Sequence, residues 1–240
     1  SLHDALPICA RYADSIRPGK AGSKNEDFEK IGTRFHSWVR DNLEKVGLDA
    51  TDGNSFERFV QQDLRFYLKA YLRILDAERT LTPGLEPVYY ISHLGIAPTL
   101  SYPLMLAALN TDDNDTTVAA KISTVAAYIE TFVVRRSINF RNFSASSIRY
   151  TMYSLVKELR GLDLPALQTL LTQKLADMKE SFTGMDKFRM HGQNKRFVKF
   201  LLARITAWCE QQAGMSTNFV TYYQPASGKP FEVEHIWADK

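Results

Sequence analysis

The chain has 240 residues, of which 45% are hydrophobic and 24% charged, with a formal net charge of +3. That composition excludes a disordered tail and a uniformly charged polymer, and it supplies enough apolar surface for one large or two modest cores. The two cysteines, Cys9 and Cys209, fit neither a metal-ligand spacing nor a disulfide framework, so a reducing compartment, the cytoplasm, is the expected location.

Residues 1–8 read SLHDALPI, the in-frame translation of a common sequencing-library adaptor, and are set aside from functional reasoning as a tag would be. A chain that opens this way and lacks an initiating Met is expected to be a piece of a longer protein. GKAGSK, residues 19–24, has neither the G-x-x-x-x-G-K-[ST] spacing of a phosphate loop nor a strand leading into it, and is expected to be a turn. The stretch Phe56 to Leu75 then sets Phe59, Val60, Leu64, Tyr67, Leu68, Tyr71, Leu72 and Leu75 at three- and four-residue steps, which predicts a helix. Thr51, Asp52, Asn54 and Ser55 stand where its N-terminal cap belongs.

Residues 88–109, VYYISHLGIAPTLSYPLMLAAL, carry no formal charge and are long enough to cross a bilayer, but Gly95, Pro98 and Pro103 divide them. Two buried helical pieces are predicted instead of a membrane span, with Pro103 near the start of the second. NTDDNDTT, residues 110–117, lacks the glycine and terminal Glu of a calcium loop and reads as a capping loop before the next helix. Helical periodicity returns at Val118–Val134, Ile148–Leu159, Ala166–Met178 (behind Asp163 and Pro165) and Phe197–Trp208. His36, His93 and His191 have no His or Cys at ligand spacing.

Strand signals are confined to NFVTYYQPASGKPFEVEH, residues 218–235, where two runs rich in β-branched and aromatic residues flank a Pro/Ser/Gly/Pro turn. The predicted fold is therefore mainly α. A multi-helix domain over residues 9–213 is followed from 214 to 240 by a short hairpin or strand stub.

Charge is segregated along the chain. From Thr131 to Lys157 there is no acid, but there are Arg135, Arg136, Arg141, Arg149 and Lys157; from Lys187 to Cys209 there is again none, but there are Lys187, Arg189, Lys195, Arg196, Lys199 and Arg204. Two acid-free runs in a nearly neutral chain can make local positive fields suited to phosphate backbones. Arg135, Arg136, Arg141, Lys195, Arg196 and Lys199 are the candidate DNA contacts. In FVVRRSI one of the two arginines is also expected to lie near the core and pair with a buried carboxylate or with helix carbonyls.

The end of the chain, KPFEVEHIWADK (229–240), resembles the first catalytic strand of the His-Asn-His nuclease domain in GmrSD-type, modification-dependent restriction endonucleases. IETFVVRRSINFRNFSASSIRY (129–150) and NKRFVKFLLARITAWCEQQAG (194–214) resemble the helical region that precedes that domain. Single-chain members of the family carry an N-terminal nucleotide-binding domain, a helical region and the C-terminal nuclease. The resemblance therefore implies DNA, modified DNA in particular, as partner, together with nucleotide triphosphate in an upstream domain and a divalent metal such as Mg in the nuclease. It implies His235 as the base that deprotonates water and Glu234 as a metal ligand or its neighbour. The rest of the site would lie beyond Lys240, so these 240 residues alone are expected to be inactive. Trp237-Ala238-Asp239 departs from the family's usual proline-containing continuation. The other reading of the same residues is a helical protein-interaction or nucleic-acid-binding module without catalysis, with Glu234 and His235 as ordinary surface.

Overall fold

A computed structural model of the chain describes residues 2–14, 26–216, 218–224 and 231–233, and among these all regular structure is helical. The chain divides into two compact units, Ser1–Phe182 and Thr183–Lys240. Residue 214, where the sequence changes character, lies in a turn of the second unit in which Gly214 takes a φ of 75°.

The first unit contains α1 (Leu2–Tyr12), α2 (Glu26–Asp41), α3 (Gly53–Arg58), α4 (Arg65–Arg79), α5 (Glu86–Ser92), α6 (Pro98–Ala107), α7 (Asp115–Ile138), α8 (Ala145–Leu159) and α9 (Leu164–Ala176). At its centre is α6, where every residue from Leu100 to Ala107 is buried, and it packs against α1, α4, α7 and α8. A helix that is apolar all round is stable only when covered on all sides, which is the arrangement here. The uncharged 88–109 run is thus two buried pieces, as its composition predicts. Their phasing differs, however: Pro98 takes the first turn of α6, and Pro103 lies inside the helix. Proline at 103 cannot donate to the carbonyl one turn back, and close packing on all sides holds the helix together in spite of that loss. Among the described residues one helix, α7, is long and apolar enough to cross a membrane by length and composition, and 56% of its apolar window is buried.

Predicted caps are made. Asp52 accepts from Asn54 N at the start of α3, Asn114 from Thr117 N at α7, and Asp163 from Ala166 N at α9. Between α3 and α4 the backbone widens into a π-helix over Phe59–Leu64, so the Phe56–Leu75 stripe runs through three helical pieces in place of one. Ala5, Leu6 and Ile8 are buried together with Cys9 and Ala10, so the adaptor-like octapeptide takes part in this unit's core. Arg160 closes the C-terminal end of α1, donating to Ala10 O and Ala13 O at 2.7 Å, to Cys9 O at 3.2 Å and to Asp14 Oδ1 at 2.7 Å.

Burial pushes the Cys9 thiol from its ordinary 9.0 up to about 12, and the phenols of Tyr67, Tyr128 and Tyr153 from 10.0 up to about 12. Protons held more tightly in the folded state stabilise it below the unfolded values, and that contribution is lost as pH rises toward the folded ones. Urea unfolding midpoints of the first unit should therefore fall steadily as pH climbs from about 9 toward 12. In the native chain near pH 8, Ellman's reagent should react with exposed Cys209 and leave Cys9 at least about 100-fold slower. Rapid labelling of both thiols would contradict the packing of α1.

The second unit is built on α10 (Lys195–Gln212) and α11 (Phe219–Tyr223). The run FVTYY, predicted as a strand, is helical. Asn218 caps it by accepting from Val220 N and Thr221 N, and Phe219 and Tyr223, one turn apart, stack on each other and meet Phe200 edge-on. Capping and an i,i+4 aromatic pair override the β propensity of the individual residues. No strand occurs among the described residues of the predicted hairpin, and its second half lies largely outside them.

Candidate nucleic-acid interface

The two acid-free runs have different fates. In the first, Arg135 is committed to the fold: Nε donates to Glu180 O at 2.6 Å, Nη1 to Leu175 O at 2.6 Å and Nη2 to Met178 O at 3.5 Å. Leu175 belongs to the last turn of α9, so this guanidinium satisfies carbonyls that the helix end leaves open, as the sequence suggests for one member of the Arg-Arg pair. Arg136 donates twice to Asn142 O, at 3.0 and 2.5 Å, and lies 3.6 Å from Glu180 Oε1. Arg141, whose side chain is 68% exposed, stands 3.7 Å from the same carboxylate, and Arg149 is 3.8 Å from Glu29. Two arginines, Arg136 and Arg141, thus share one carboxylate around the end of α7, and Arg135 beside them is held by carbonyls alone, leaving the cluster positive.

In the second run the cations open a helix. Lys195 and Arg196 are the first residues of α10 and Lys199 follows one turn later, at the end where the helix dipole already favours anions. Asn194 braces the turn before it, its carboxamide accepting from His191 N at 2.8 Å and donating to Arg189 O at 2.9 Å. Arg196 Nε donates to Tyr223 Oη at 3.2 Å, and Lys199 Nζ sits 5.9 Å from the centre of the Tyr223 ring. Tyr223 is itself buried, so α11 acts as a platform that orients two of the three cations. Among the described residues no carboxylate lies within salt-bridge reach of Lys187, Arg189, Lys195, Arg196 or Lys199.

The packed face of α10 is not the one that its larger apolar residues would line. Phe200, Ala203 and Ala207 are buried, while Leu202, Ile205 and Trp208 are about half exposed. Tyr223 was invisible as a partner of Arg196 and Lys199 from the sequence; the one signal for it is Asn218 at capping distance ahead of an aromatic pair.

Glu234 and His235 lie outside the described residues, as does GKAGSK. NTDDNDTT is the capping loop it was read to be, with Asp113 turned inward to accept from Lys121 Nζ at 2.8 and 3.0 Å. Among the described residues no group of three or more His, Cys, Asp or Glu could hold a metal ion, so they offer no donor set for the divalent metal that the resemblance implies. Comparison with protein-family models, with curated proteins and with solved structures gives no match for the chain.

Proposed function

We propose that the chain supplies the DNA-backbone contact of a modification-dependent endonuclease of the GmrSD type, acting in defence against foreign DNA. Its helical region would hold the duplex, and Glu234 and His235 would begin the metal-dependent hydrolytic site. The observation that carries the reading is the N-terminal end of α10, where Lys195, Arg196 and Lys199 fall within the first five residues without a described carboxylate partner and against the preference of the helix dipole. An arrangement unfavourable for the isolated fold becomes favourable once phosphates lie against it. Fluorescence anisotropy with two unrelated DNA duplexes of equal length tests it. Both should bind with the same affinity at low salt, because phosphate contacts carry no sequence information. Absence of binding to either would refute it.

One observation favours a second reading, a helical interaction module. Phe56, Val60, Leu68 and Leu72 form an exposed apolar stripe at steps of four, eight and four residues, and Phe56 and Val60 also line a groove of about 550 Å³ with Phe35, Val39, Leu48 and Phe59. That reading predicts self-association that survives high salt and is lost in Leu68→Glu, with no affinity for DNA.

A further inference from the structure

The turn that ends α7 breaks a local rule. Arg141 N donates to Arg136 O at 2.8 Å and Phe140 N to Ser137 O at 3.1 Å, the paired bonds of a Schellman cap. The residue at the left-handed position of such a cap is usually glycine, yet here it is Phe140, at a φ of 56°. Phe140 is 62% exposed, so an aromatic side chain stands at the surface on a backbone conformation that usually calls for glycine. A second ring is held nearby. Asn139 Nδ2 donates to Ser181 O at 2.8 Å, tying the turn to the residue before Phe182, which is 57% exposed and has Arg135 5.9 Å from its ring centre. Arg135, Arg136 and Arg141 lie at this end of α7, with Glu180 as the one described carboxylate near Arg136 and Arg141 and with main-chain carbonyls around Arg135.

We propose that Phe140 and Phe182, set among these arginines, form a stacking site for unpaired nucleobases of DNA. The inference rests on the DNA-binding reading and adds to it a substrate state: a strand in which bases are unstacked, as around a flipped or single-stranded nucleotide. Aromatic rings offer a face to any base, and Arg141, whose side chain is 68% exposed, stands beside them to meet an adjoining phosphate, so the site would be tolerant of sequence.

The test compares a short labelled oligothymidylate with an abasic oligonucleotide of the same length, using the whole chain. The backbone is common to both, so a difference reports the bases. Oligothymidylate should bind about ten-fold more tightly, and Phe140→Gly should remove most of that difference. Glycine suits the left-handed backbone, so the same variant should melt no lower than the parent, which separates lost stacking from lost folding. Phe182→Ala should reduce the preference in the same direction. Equal affinity for the two oligonucleotides, or a preference untouched by Phe140→Gly, overturns the stacking site. If duplexes still bind in that case, the DNA reading survives it; if no nucleic acid binds, both fail together.

Discussion

Asp113→Ala should lower the unfolding free energy of the first unit by roughly 3–5 kcal/mol, because it strands a buried ammonium. Lys121 is 1% exposed and sits 2.8 and 3.0 Å from the two carboxylate oxygens of Asp113, itself only 10% exposed. The same carboxylate accepts from Asn110 N at 2.8 Å, so its loss also frees a backbone donor in the loop that leads into α7. The complementary replacement separates the worth of the pair from the cost of breaking it. Asp113→Asn combined with Lys121→Met removes both charges, keeps an acceptor for Asn110 N, and should cost about 1 kcal/mol or less. Urea unfolding of the parent, the two single variants and the double variant completes the cycle. A loss below about 1 kcal/mol for Asp113→Ala would show that Lys121 reaches water.

Replacing Lys195, Arg196 and Lys199 together by glutamate should weaken duplex binding by about 100-fold or more at low salt. Three attractive charges become repulsive at one helix end, and no described carboxylate is left unpaired by their removal. Acidic residues are favoured in a first helical turn, so α10 itself should not be weakened by the change; far-ultraviolet circular dichroism checks this. Arg196→Glu does lose the hydrogen bond to Tyr223, which makes Lys195→Glu with Lys199→Glu the cleaner pair for the same measurement. An unchanged affinity in a folded variant would move the contact away from α10.

The sequence discloses the helices better than the site, for physical reasons visible at single residues. Caps are local: Asp52, Asn114 and Asp163 each bond a backbone N–H two or three residues on, so their position in the chain is their role. Pro103 and the FVTYY run are read wrongly because tertiary packing outweighs local preference, through the neighbours of α6 in one case and through Phe200 in the other. The basic runs are legible as counts, whereas their uses are not. Arg135 and Lys195 look alike in sequence, and differ because carbonyls from residues 175–180 meet one and solvent meets the other. Phe140 has no sequence signal, since its left-handed backbone is marked by neither glycine nor asparagine.

The most direct measurement of the central claim is the salt dependence of duplex binding by the unaltered chain. Three phosphate contacts from Lys195, Arg196 and Lys199 predict that log affinity falls with log salt at a slope of about −2.7, or more steeply if the arginines at the end of α7 also take part. The triple glutamate variant should lose that slope along with its affinity. A flat salt profile, or no duplex affinity at the lowest salt, would contradict the nucleic-acid reading and leave the apolar stripe from Phe56 to Leu72 as the functional surface.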